Sequence, residues 1–562
     1  MFSDFKNYII GLLFLVFCFS LYKNISYPLL WNDESESTMM ATRVLTYGYP
    51  KVNDGKNRIF ASDIPNSDIG YNKKLDACTY ITWGNYYFAT IGVTLAKFAN
   101  DIYSKTALIR IPYATMGLLG LIIFIIALHP FFLDKNLFKW FVILFLFIEL
   151  FSISLVLHMR DARSYPLVIF ICACFFYVYV RRFFFKKINY YKYALLIFII
   201  LTIAFHTNFI AFVILTLVYC AHQFFTMVVE WIKIKKWDDR ISTIKLYLKD
   251  AIPVIVAGLL AIPFILFFEL LKTSQAVSEY HHYSFDIYTG NFKTIFHFFS
   301  KLEFLYTVLV IKIILIGIIY FAKKNTVSSK RSFNSQLLPI SIFLLFFIVI
   351  YILMIARIPY YIFARYIIVL QVAVSLMMMI DLFAIVEYAN HFIKKQNTKK
   401  ILYSLFTVVM LVFCYNSRNK MEYIKGHIYE LTHQYKGSLD YIIPFIKDNF
   451  KHTDSLTIAT NYEEYSYMYY LNSKVIIGYC NNNLEDDVKH IPDIIMYRKT
   501  WGTDPKVFND FMQKTRYQKV AFPVADYPVN NIPELDFAIK HQFKTKFAAN
   551  ENEKAEILVR VN

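Results

Sequence analysis

The chain has 562 residues, of which 57% are hydrophobic, and its formal net charge is +18. Soluble globular proteins average roughly 45–50% apolar residues, and the excess here lies in long runs that largely stop near residue 416. Much of the positive charge falls in short loops between these runs, a pattern of membrane proteins rather than of nucleic-acid-binding proteins. We therefore expect membrane lipids as partners and no nucleic acid. The seven cysteines give no disulfide framework and no zinc-binding spacing.

The apolar runs predict about eleven membrane spans, because a helix needs roughly 20 apolar residues to cross a bilayer. No small-residue cleavage site follows the first run, so we interpret it as an uncleaved span rather than a signal peptide. In chain order the runs cover residues 8–30, 106–132, 137–157, 165–185, 190–206, 208–231, 251–271, 302–322, 336–356, 362–386 and 400–416.

The loops between the runs alternate in charge along the chain. Basic loops are expected in the cytoplasm by the positive-inside rule, and here they lie near residues 135, 181, 233, 323 and 394. The remaining loops, and everything after residue 416, are then predicted outside the cytoplasm. Segment 81–98 would invert this alternation if it crossed the bilayer, so we predict an interfacial helix there and another within 272–301.

Residues 417–562 differ in kind from the rest of the chain. Helical stretches at 438–450 and 504–514 alternate with strand-like segments SLTIAT, KVIIGY, PDIIMY and KVAFPV. This alternation predicts a soluble α/β domain. We therefore predict two domains, a transmembrane domain at 1–416 and an extracytoplasmic α/β domain at 417–562.

Two acidic residues, Asp33 and Glu34, follow the first predicted span. Carboxylates in this place can simply cap the next helix and interact favourably with its dipole. The functional alternative is a general base, because a hydroxyl nucleophile must lose its proton as it attacks. Further carboxylates, arginines and histidines fall on the same predicted side, at the ends of several spans, which indicates an active site assembled between helices.

The segment from Trp31 to Pro50 resembles the first outer loop of the GT-C glycosyltransferases. That group includes the protein O-mannosyltransferases and the lipid A aminoarabinose transferase. Their loop opens with Asp-Glu, enters a helix with an Ala-Arg-like step and reaches Gly-x-Pro. The matching residues here are Asp33-Glu34, Ala41-Thr42-Arg43 and Gly48-Tyr49-Pro50. The resemblance implies that Asp33 is the catalytic base, and we place Glu34 beside it in the catalytic pair.

Further segments extend the resemblance over residues 1–390, in the order of the family's motifs. The Pro-Pro pair that opens the family's juxtamembrane helix is missing here. The matching segments are 82–87 with Arg110-Ile111-Pro112, then 160–165, Phe205-His206-Thr207 and Ala364-Arg365-Tyr366. The resemblance implies a polytopic α-helical membrane protein with interfacial juxtamembrane helices. It also implies a glycosyltransferase whose donor is a polyprenyl-phosphate-linked sugar.

The leaving group of such a reaction is a lipid phosphate, whose charge must be neutralised where water has little access. Arginine suits this task because its guanidinium binds phosphate in a bidentate fork. We select Arg163 and Arg365, with Arg160 and Arg357 in reserve. The structural alternative is that these outer arginines bind lipid headgroups or extend to the interface.

Five further residues are candidates for sugar or acceptor binding: Asp161, Tyr165, Tyr87, His206 and His282. Asp161 can equally well pair with a neighbouring arginine, and His206 can be a hydrogen-bonded residue at a helix end. A metal site built from Glu34 and the adjacent histidines is less favoured, because two neighbouring histidines rarely bind one ion well. The first outer loop also lacks the Asp-x-Asp of metal-dependent oligosaccharyltransferases. We therefore expect neither a metal nor another cofactor.

The sequence thus predicts an inverting transferase of the bacterial inner membrane, with a periplasmic site and a glycan, lipid or protein acceptor. A polymerase or ligase of lipid-linked glycans is the first alternative, but it would gather its arginines in one large loop. A transporter is the second, and it would have polar or broken helices near the bilayer midplane. Here the ionisable groups crowd one face, and those near the midplane are nearly absent apart from Glu149.

Overall fold

A computed structural model gives the structure of the protein. It describes residues 2–59, 69–132, 134–326, 337–359, 362–392, 396–434, 436–460, 462–477, 489–497, 505–526 and 554–561.

The first three quarters of the chain are almost entirely helical. A two-stranded sheet, β1 (Tyr71–Asn72) and β2 (Ala77–Cys78), lies in the first outer loop. The helices are α1 (Phe2–Tyr22), α2 (Asn32–Tyr47), α3 (Gly84–Ala96), α4 (Ile102–Leu128), α5 (Lys135–Leu150), α6 (Ile153–His158), α7 (Ser164–Tyr179), α8 (Tyr190–Thr207), α9 (Phe209–Lys233), α10 (Trp237–Phe267), α11 (Leu270–Tyr280), α12 (Phe285–Lys301), α13 (Leu305–Thr326), α14 (Leu337–Ile355), α15 (Ile368–Phe392) and α16 (Gln396–Thr432).

Within the described residues, eight helices are long and apolar enough to cross a membrane, or nine if the bent pair α12–α13 forms one span. The protein is therefore a multi-pass membrane protein, as the sequence predicted. The prediction of about eleven spans also counted two shorter segments that fall below the roughly 20 residues of a full span. One is α5, which ends at Leu150 and is separated from α6 by a break. The other is the apolar part of α16, Ser404–Arg418.

The two segments expected at the interface form helices that are not simple spans. Helix α3 has 13 residues, which is about 20 Å at 1.5 Å per residue and shorter than the apolar core of a bilayer. Helices α12 and α13 are bent by 88° at the break between them. Segment 81–98 therefore does not form a continuous helix that is long enough to cross the bilayer. The assignment of the later loops to the two sides of the membrane does not have to be inverted.

Glycine allows the helices around the first outer loop to pack closely. A Cβ on Gly92 of α3 would lie 2.8 Å from the backbone of Ile109 in α4. A Cβ on Gly120 of α4 would lie 2.9 Å from Ile169 of α7. Small residues at such crossings let helix backbones approach each other in a membrane. These contacts fix α3, α4 and α7 against one another beneath the polar residues of the outer loop.

A buried ion pair links three helices inside the transmembrane domain. Lys312 of α13 lies 2.6 Å from Asp381 of α15, and both contact the hydroxyl of Ser341 in α14 at 2.8 and 2.6 Å. The sequence interpretation, which named only Glu149 among ionisable groups near the midplane, did not include this pair. Because the two charges neutralise each other, we interpret the pair as a structural link between helices. Charges on a transport path would instead face a water-filled cavity.

The C-terminal part contains the α/β elements predicted from the sequence. They are α17 (Leu439–Asn449), β3 (Thr457–Thr460), α18 (Glu464–Leu471), β4 (Lys474–Ile477), β5 (Ile494–Tyr497), α19 (Pro505–Lys514), β6 (Arg516–Ala525) and β7 (Lys554–Val561). In the described residues the strands form one sheet in the order β4-β3-β5-β7-β6. Strand β3 is parallel to both β4 and β5, whereas β7 is antiparallel to β5 and β6. The 310 turns Ala364–Ile367, His129–Phe131 and Thr453–Ser455 and the π-helical turn Val180–Phe184 complete the described elements.

Helix α16 runs across residue 416, where the sequence placed the domain boundary. Its outer half packs polar residues against the transmembrane helices. Lys420 lies 2.7 Å from Glu303 at the bend between α12 and α13, and His427 hydrogen-bonds Ser20 of α1 at 2.8 Å. The helix therefore continues from the membrane into the C-terminal part, and the boundary at 416/417 stays a prediction.

We predict that removing one partner of the Lys312–Asp381 pair destabilises the protein more than removing both. Replacing one partner leaves an unpaired buried charge, which costs about 3–5 kcal/mol, whereas replacing both with apolar residues is often nearly neutral. Lys312→Met and Asp381→Leu should each lower the unfolding temperature of the solubilised protein, and the double variant should recover most of that loss. Additive losses in the double variant would contradict this interpretation.

Candidate active site

The site is built around the first turn of α2. Trp31 precedes the helix in an extended conformation, and its backbone N–H donates to the Glu34 carboxylate at 3.4 Å. Asp33 and Glu34 both lie in this first turn, where negative charge interacts favourably with the helix dipole. At the other end, Gly48 adopts a φ of +84° and ends the helix, a left-handed conformation that suits glycine. Of the two acidic residues, Glu34 is therefore the one that caps the N-terminus of α2, which was the structural alternative to a catalytic role.

Glu34 is fully buried and forms a bidentate ion pair with Arg110 of α4. Arg110 donates its Nε–H to Oε1 at 2.8 Å and an Nη2–H to Oε2 at 2.5 Å. Oε1 also accepts from the backbone N–H of Ala162 at 2.9 Å. Burial raises the pKa of Glu34, and the charge of Arg110 opposes that rise. The pair thus connects α2, α4 and the turn before α7 through one carboxylate.

Arg110 also supports the chain before α2. Its Nη1 donates to the carbonyl oxygens of Ile25 and Pro28 at 2.9 and 2.7 Å. The guanidinium and the carboxylate therefore have hydrogen-bond partners on several sides, as buried charges require. This arrangement is that of a structural ion pair, not of a carboxylate that receives a proton from a substrate.

Asp33 lies beside Glu34 but faces a different environment. Its side chain is 27% exposed, and its Oδ2 lies 3.9 Å from guanidinium nitrogens of both Arg163 and Arg365. Arg163 precedes α7, and Arg365 lies in the 310 turn before α15. The structure therefore brings together the predicted base and the two arginines that we selected for phosphate, from three distant parts of the sequence.

Arg163 is held in place by α2. Its Nη1 donates to the backbone carbonyl of Asp33 at 3.0 Å, to Glu36 at 3.0 Å and to the hydroxyl of Ser37 at 3.2 Å. Glu36 in turn accepts from the phenol of Tyr86 in α3 at 2.6 Å. Neither Glu36 nor Tyr86 was predicted as a site residue from the sequence. The signal for Glu36 was its position three residues after Asp33, on the same face of α2.

Arg365 is surrounded by aromatic rings. Its guanidinium carbon lies 5.0 Å from the ring centroid of Trp31, 4.2 Å from that of Phe363 and 5.4 Å from that of Tyr366. A cation at these distances is attracted by the electron-rich faces of the rings. The aromatic contacts therefore help to hold the Arg365 guanidinium in its place beside Asp33.

The two reserve arginines lie in other environments. Arg160 is buried and donates to the backbone carbonyls of Lys23 and Asn24 at 3.3 and 2.7 Å. Burial and the charge of Arg110 lower its pKa to about 10. Arg357 is exposed just after α14. Burial raises the pKa of Tyr283, in the turn between α11 and α12, and the charge of Arg357 opposes that rise.

Asp161 and Tyr165 lie close to the Asp33 cluster. Asp161 is buried and contacts the His158 ring at 3.0 Å. Burial raises its pKa to about 7, although Arg110 and Arg365 act in the opposite direction. The ring of Tyr165 lies 6.2 Å from that of Tyr366, next to Arg365. Both residues therefore stay candidates for sugar binding.

The other three predicted binding residues contact neighbouring secondary structure. The exposed Tyr87 donates its phenolic O–H to the carbonyl of Gly48 at 2.7 Å, which ties α3 to the end of α2. The ring of His206 packs against Phe264 at 4.8 Å. His282 is exposed after α11 and adopts a φ of +50°. These contacts give none of the three a link to Asp33.

The C-terminal domain covers the first turn of α2. The Ser466 hydroxyl of α18 hydrogen-bonds the Ser35 hydroxyl and the carbonyl of Leu30, both at 2.9 Å. The phenol of Tyr470 accepts from the backbone N–H of Leu30 at 3.0 Å. The sequence gave no sign of this contact, because the partners are more than 400 positions apart.

Among the residues that the structure describes, no group of three or more His, Cys, Asp or Glu side chains is placed to hold a metal ion. The expectation of a metal-free and cofactor-free site stays a prediction.

The sequence matches no protein-family model and no curated protein. Among solved structures, the chain is similar to ArnT from Cupriavidus metallidurans in the apo state. The TM-score is 0.52, the sequence identity is 10%, and the match covers 99% of this chain and 98% of that chain. ArnT from the same organism bound to undecaprenyl phosphate matches with a TM-score of 0.47, 10% identity and the same coverage.

The likeness to apo ArnT shows the fold over almost the whole of both chains. The protein therefore has the fold of ArnT, with multiple membrane-spanning helices and a C-terminal sheet domain. This agrees with the family resemblance that the sequence motifs indicated.

We predict that the two acidic neighbours differ sharply in their contribution to stability. Glu34→Gln should cost about 3–5 kcal/mol, because it leaves the buried Arg110 charge without its counter-ion. Asp33→Asn is the matched control and should cost clearly less, because Asp33 is 27% exposed and its nearest guanidinium nitrogens lie 3.9 Å away. Thermal unfolding of the solubilised variants measures both. Equal losses would contradict the division between a structural and an accessible carboxylate.

Proposed function

We propose that the protein is an inverting glycosyltransferase. It transfers a sugar from a polyprenyl-phosphate carrier to a hydroxyl-bearing lipid, glycan or protein acceptor at the periplasmic face of a bacterial inner membrane. The observation that carries the proposal is the position of Asp33, an accessible carboxylate that lies 3.9 Å from both Arg163 and Arg365. The GT-C fold supports the same class of reaction.

In this proposal Asp33 is the general base. The acceptor oxygen attacks the anomeric carbon, its proton passes to the Asp33 carboxylate, and the bond from the anomeric carbon to the phosphate oxygen breaks. The electron pair of that bond leaves with the polyprenyl phosphate. A single displacement of this kind inverts the anomeric configuration. One well-placed carboxylate contributes about 10²–10⁴-fold to such a step.

Arg163 and Arg365 neutralise the departing phosphate. They approach Asp33 from the turns before α7 and α15 and are held in place in advance, Arg163 by Glu36 and Ser37 and Arg365 by its aromatic neighbours. Donors that are fixed before the reaction stabilise developing charge without having to reorganise. Without substrate, Asp33 and Glu36 supply the counter-charge of the two arginines.

The remaining predicted residues divide by their contacts. Asp161 and Tyr165 are proposed to bind the transferred sugar. Glu34 was predicted as part of the catalytic pair, but we propose that it is a positioning residue because its carboxylate is paired with Arg110. Arg160 is also proposed as a positioning residue, because it hydrogen-bonds the chain after α1. Arg357, His206, Tyr87 and His282 have no role in the proposed mechanism. The mechanism uses neither a metal nor another cofactor.

The proposed orientation rests on the charge of the loops. Arg181, Arg182 and Lys233 lie at the opposite ends of helices from Arg163 and His206, and basic loops favour the cytoplasm. Asp33 and the C-terminal domain, which we take as residues 417–562, would then face the periplasm. The C-terminal domain contacts α2 through Ser466, so it lies on the same side as Asp33.

We predict that Asp33→Asn lowers turnover by about 10²–10⁴-fold, because it removes the base and keeps the shape of the side chain. Turnover is measured as the transfer of labelled sugar in membranes of the source organism. The chromosomal gene for the protein is deleted in these cells, and the variant is expressed in its place. Asp510→Asn, which changes an exposed carboxylate of α19, is the matched control and should leave turnover unchanged. Near-normal turnover of the folded Asp33→Asn protein would rule out the proposed base.

We predict that Arg163→Gln and Arg365→Gln each weaken the binding of undecaprenyl phosphate by about 10-fold or more, because hydrogen bonds between charged groups contribute roughly 1.5–3 kcal/mol. Titration of the protein in nanodiscs with undecaprenyl phosphate measures the affinity. Arg357→Gln is the control for a change in net charge and should bind like the unmodified protein. Equal affinities for all three variants would place the phosphate elsewhere.

A further inference from the structure

Arg163 binds the rest of the protein through one nitrogen of its guanidinium. Within the described residues, its hydrogen bonds to the Asp33 carbonyl, the Glu36 carboxylate and the Ser37 hydroxyl all start from Nη1. Nη2 lies 3.9 Å from Oδ2 of Asp33. The described part of the chain therefore leaves Nε and Nη2 of Arg163 available to a ligand, and Nη2 is next to the proposed base.

Nε and Nη2 are a pair of arginine nitrogens that can bind two oxygens at once. Arg110 shows this in the same protein, because its Nε and Nη2 donate to the two oxygens of Glu34 at 2.8 and 2.5 Å. A phosphate presents pairs of oxygens with a similar geometry, and bidentate binding is stronger and more directional than a single contact. Arg163 thus offers a phosphate the same pair of donors that Arg110 gives to a carboxylate.

The side chains that accept from Nη1 are themselves held by helix α3. The Tyr86 phenol donates to Oε1 of Glu36 at 2.6 Å, while Arg163 donates to Oε2 of the same carboxylate at 3.0 Å. The Asn85 amide donates to the Ser37 hydroxyl at 3.1 Å. Asn85 and Tyr86 are neighbours in the first turn of α3. One end of one helix therefore orients both side-chain acceptors of Arg163.

These hydrogen bonds lie in a buried environment. The side chains of Asn85 and Tyr86 are both buried, and the phenol of Tyr113 in α4 donates to the side-chain carbonyl of Asn85 at 3.1 Å. Burial and the Glu36 carboxylate raise the pKa of Tyr86, so its phenol keeps its proton and stays a donor. Hydrogen bonds in such surroundings are stronger than in water and rigidify the side chains that form them. The network is therefore in place before a substrate arrives.

We propose that the first turn of α3 positions Arg163 for bidentate binding of the donor phosphate. Tyr86 acts on the arginine through Glu36. Asn85 acts on it through Ser37. Together they hold Nη1, so that Nε and Nη2 stay available for two oxygens of the departing phosphate. This inference rests on the proposed glycosyltransferase function and names Asn85 and Tyr86 as positioning residues for it.

Tyr86→Phe tests this inference, because it removes the phenolic O–H and keeps the ring and every charge. The affinity of the variant in nanodiscs for undecaprenyl phosphate should fall about 3–10-fold, the scale of one hydrogen bond. Its affinity for undecaprenol, which has the same chain and no phosphate, should stay unchanged. Tyr87→Phe is the matched control, because it removes the neighbouring phenol, which donates to the carbonyl of Gly48. It should change neither affinity.

A double-mutant cycle shows whether Tyr86 acts through Arg163. In the Arg163→Gln background, Tyr86→Phe should cause no further loss of affinity for undecaprenyl phosphate, because the arginine that it positions is absent. In the Arg365→Gln background, the same change should still lower the affinity about 3–10-fold. Losses of equal size in both backgrounds would contradict the inference.

The possible results separate this inference from the proposed function. Weaker binding of undecaprenyl phosphate in Arg163→Gln, together with normal binding in Tyr86→Phe, would overturn the positioning role alone. An equal loss of affinity for undecaprenyl phosphate and undecaprenol in Tyr86→Phe would show a merely structural role and would also overturn it. Normal turnover of folded Asp33→Asn would overturn the proposed function itself. Should Tyr86→Phe fold poorly, Ser37→Ala removes the other side-chain acceptor of Nη1, and an unchanged affinity for undecaprenyl phosphate there would contradict the inference.

Discussion

The ion pair between Glu34 and Arg110 is the contact on which the geometry of the site depends. It is fully buried, and its carboxylate also accepts from the backbone that leads into α7. A buried pair costs free energy when its charges leave water, and this cost is offset only when both partners are fully hydrogen-bonded. The carbonyls of Ile25 and Pro28 complete that set. The first turn of α2 therefore has one orientation relative to α4 and α7, and Asp33 points toward Arg163 as a result.

This arrangement explains why two adjacent acidic residues have different roles. Glu34 is turned inward to Arg110, whereas Asp33 is turned toward Arg163 and Arg365 and keeps contact with solvent. Adjacent positions on a helix are about 100° apart around its axis, so neighbours in the sequence face different surroundings. The general base that the sequence predicted is thus separated from its structural neighbour by helix geometry alone.

The sequence predicted those features that depend on local patterns. Long apolar runs predicted the spanning helices, alternation of helical and strand-like segments predicted the C-terminal sheet, and short motifs predicted the convergence of Asp33, Arg163 and Arg365. It did not predict that Lys312 and Asp381 pair, because their separation carries no periodic signal. Two of the expected spans were too short because Phe151 and Ser152 interrupt one helix, and because the apolar part of α16 ends at Arg418.

The central claim is that Asp33, Arg163 and Arg365 form one site that receives the phosphate of a polyprenyl carrier. A cryo-electron microscopy structure of the protein in nanodiscs with undecaprenyl phosphate tests it most directly. The account predicts phosphate density at hydrogen-bonding distance, about 2.7–2.9 Å, from guanidinium nitrogens of both Arg163 and Arg365, with the Asp33 carboxylate next to it. Phosphate density at the opposite membrane face, beside Arg181 and Arg182, with the Asp33 cluster unchanged, would contradict it.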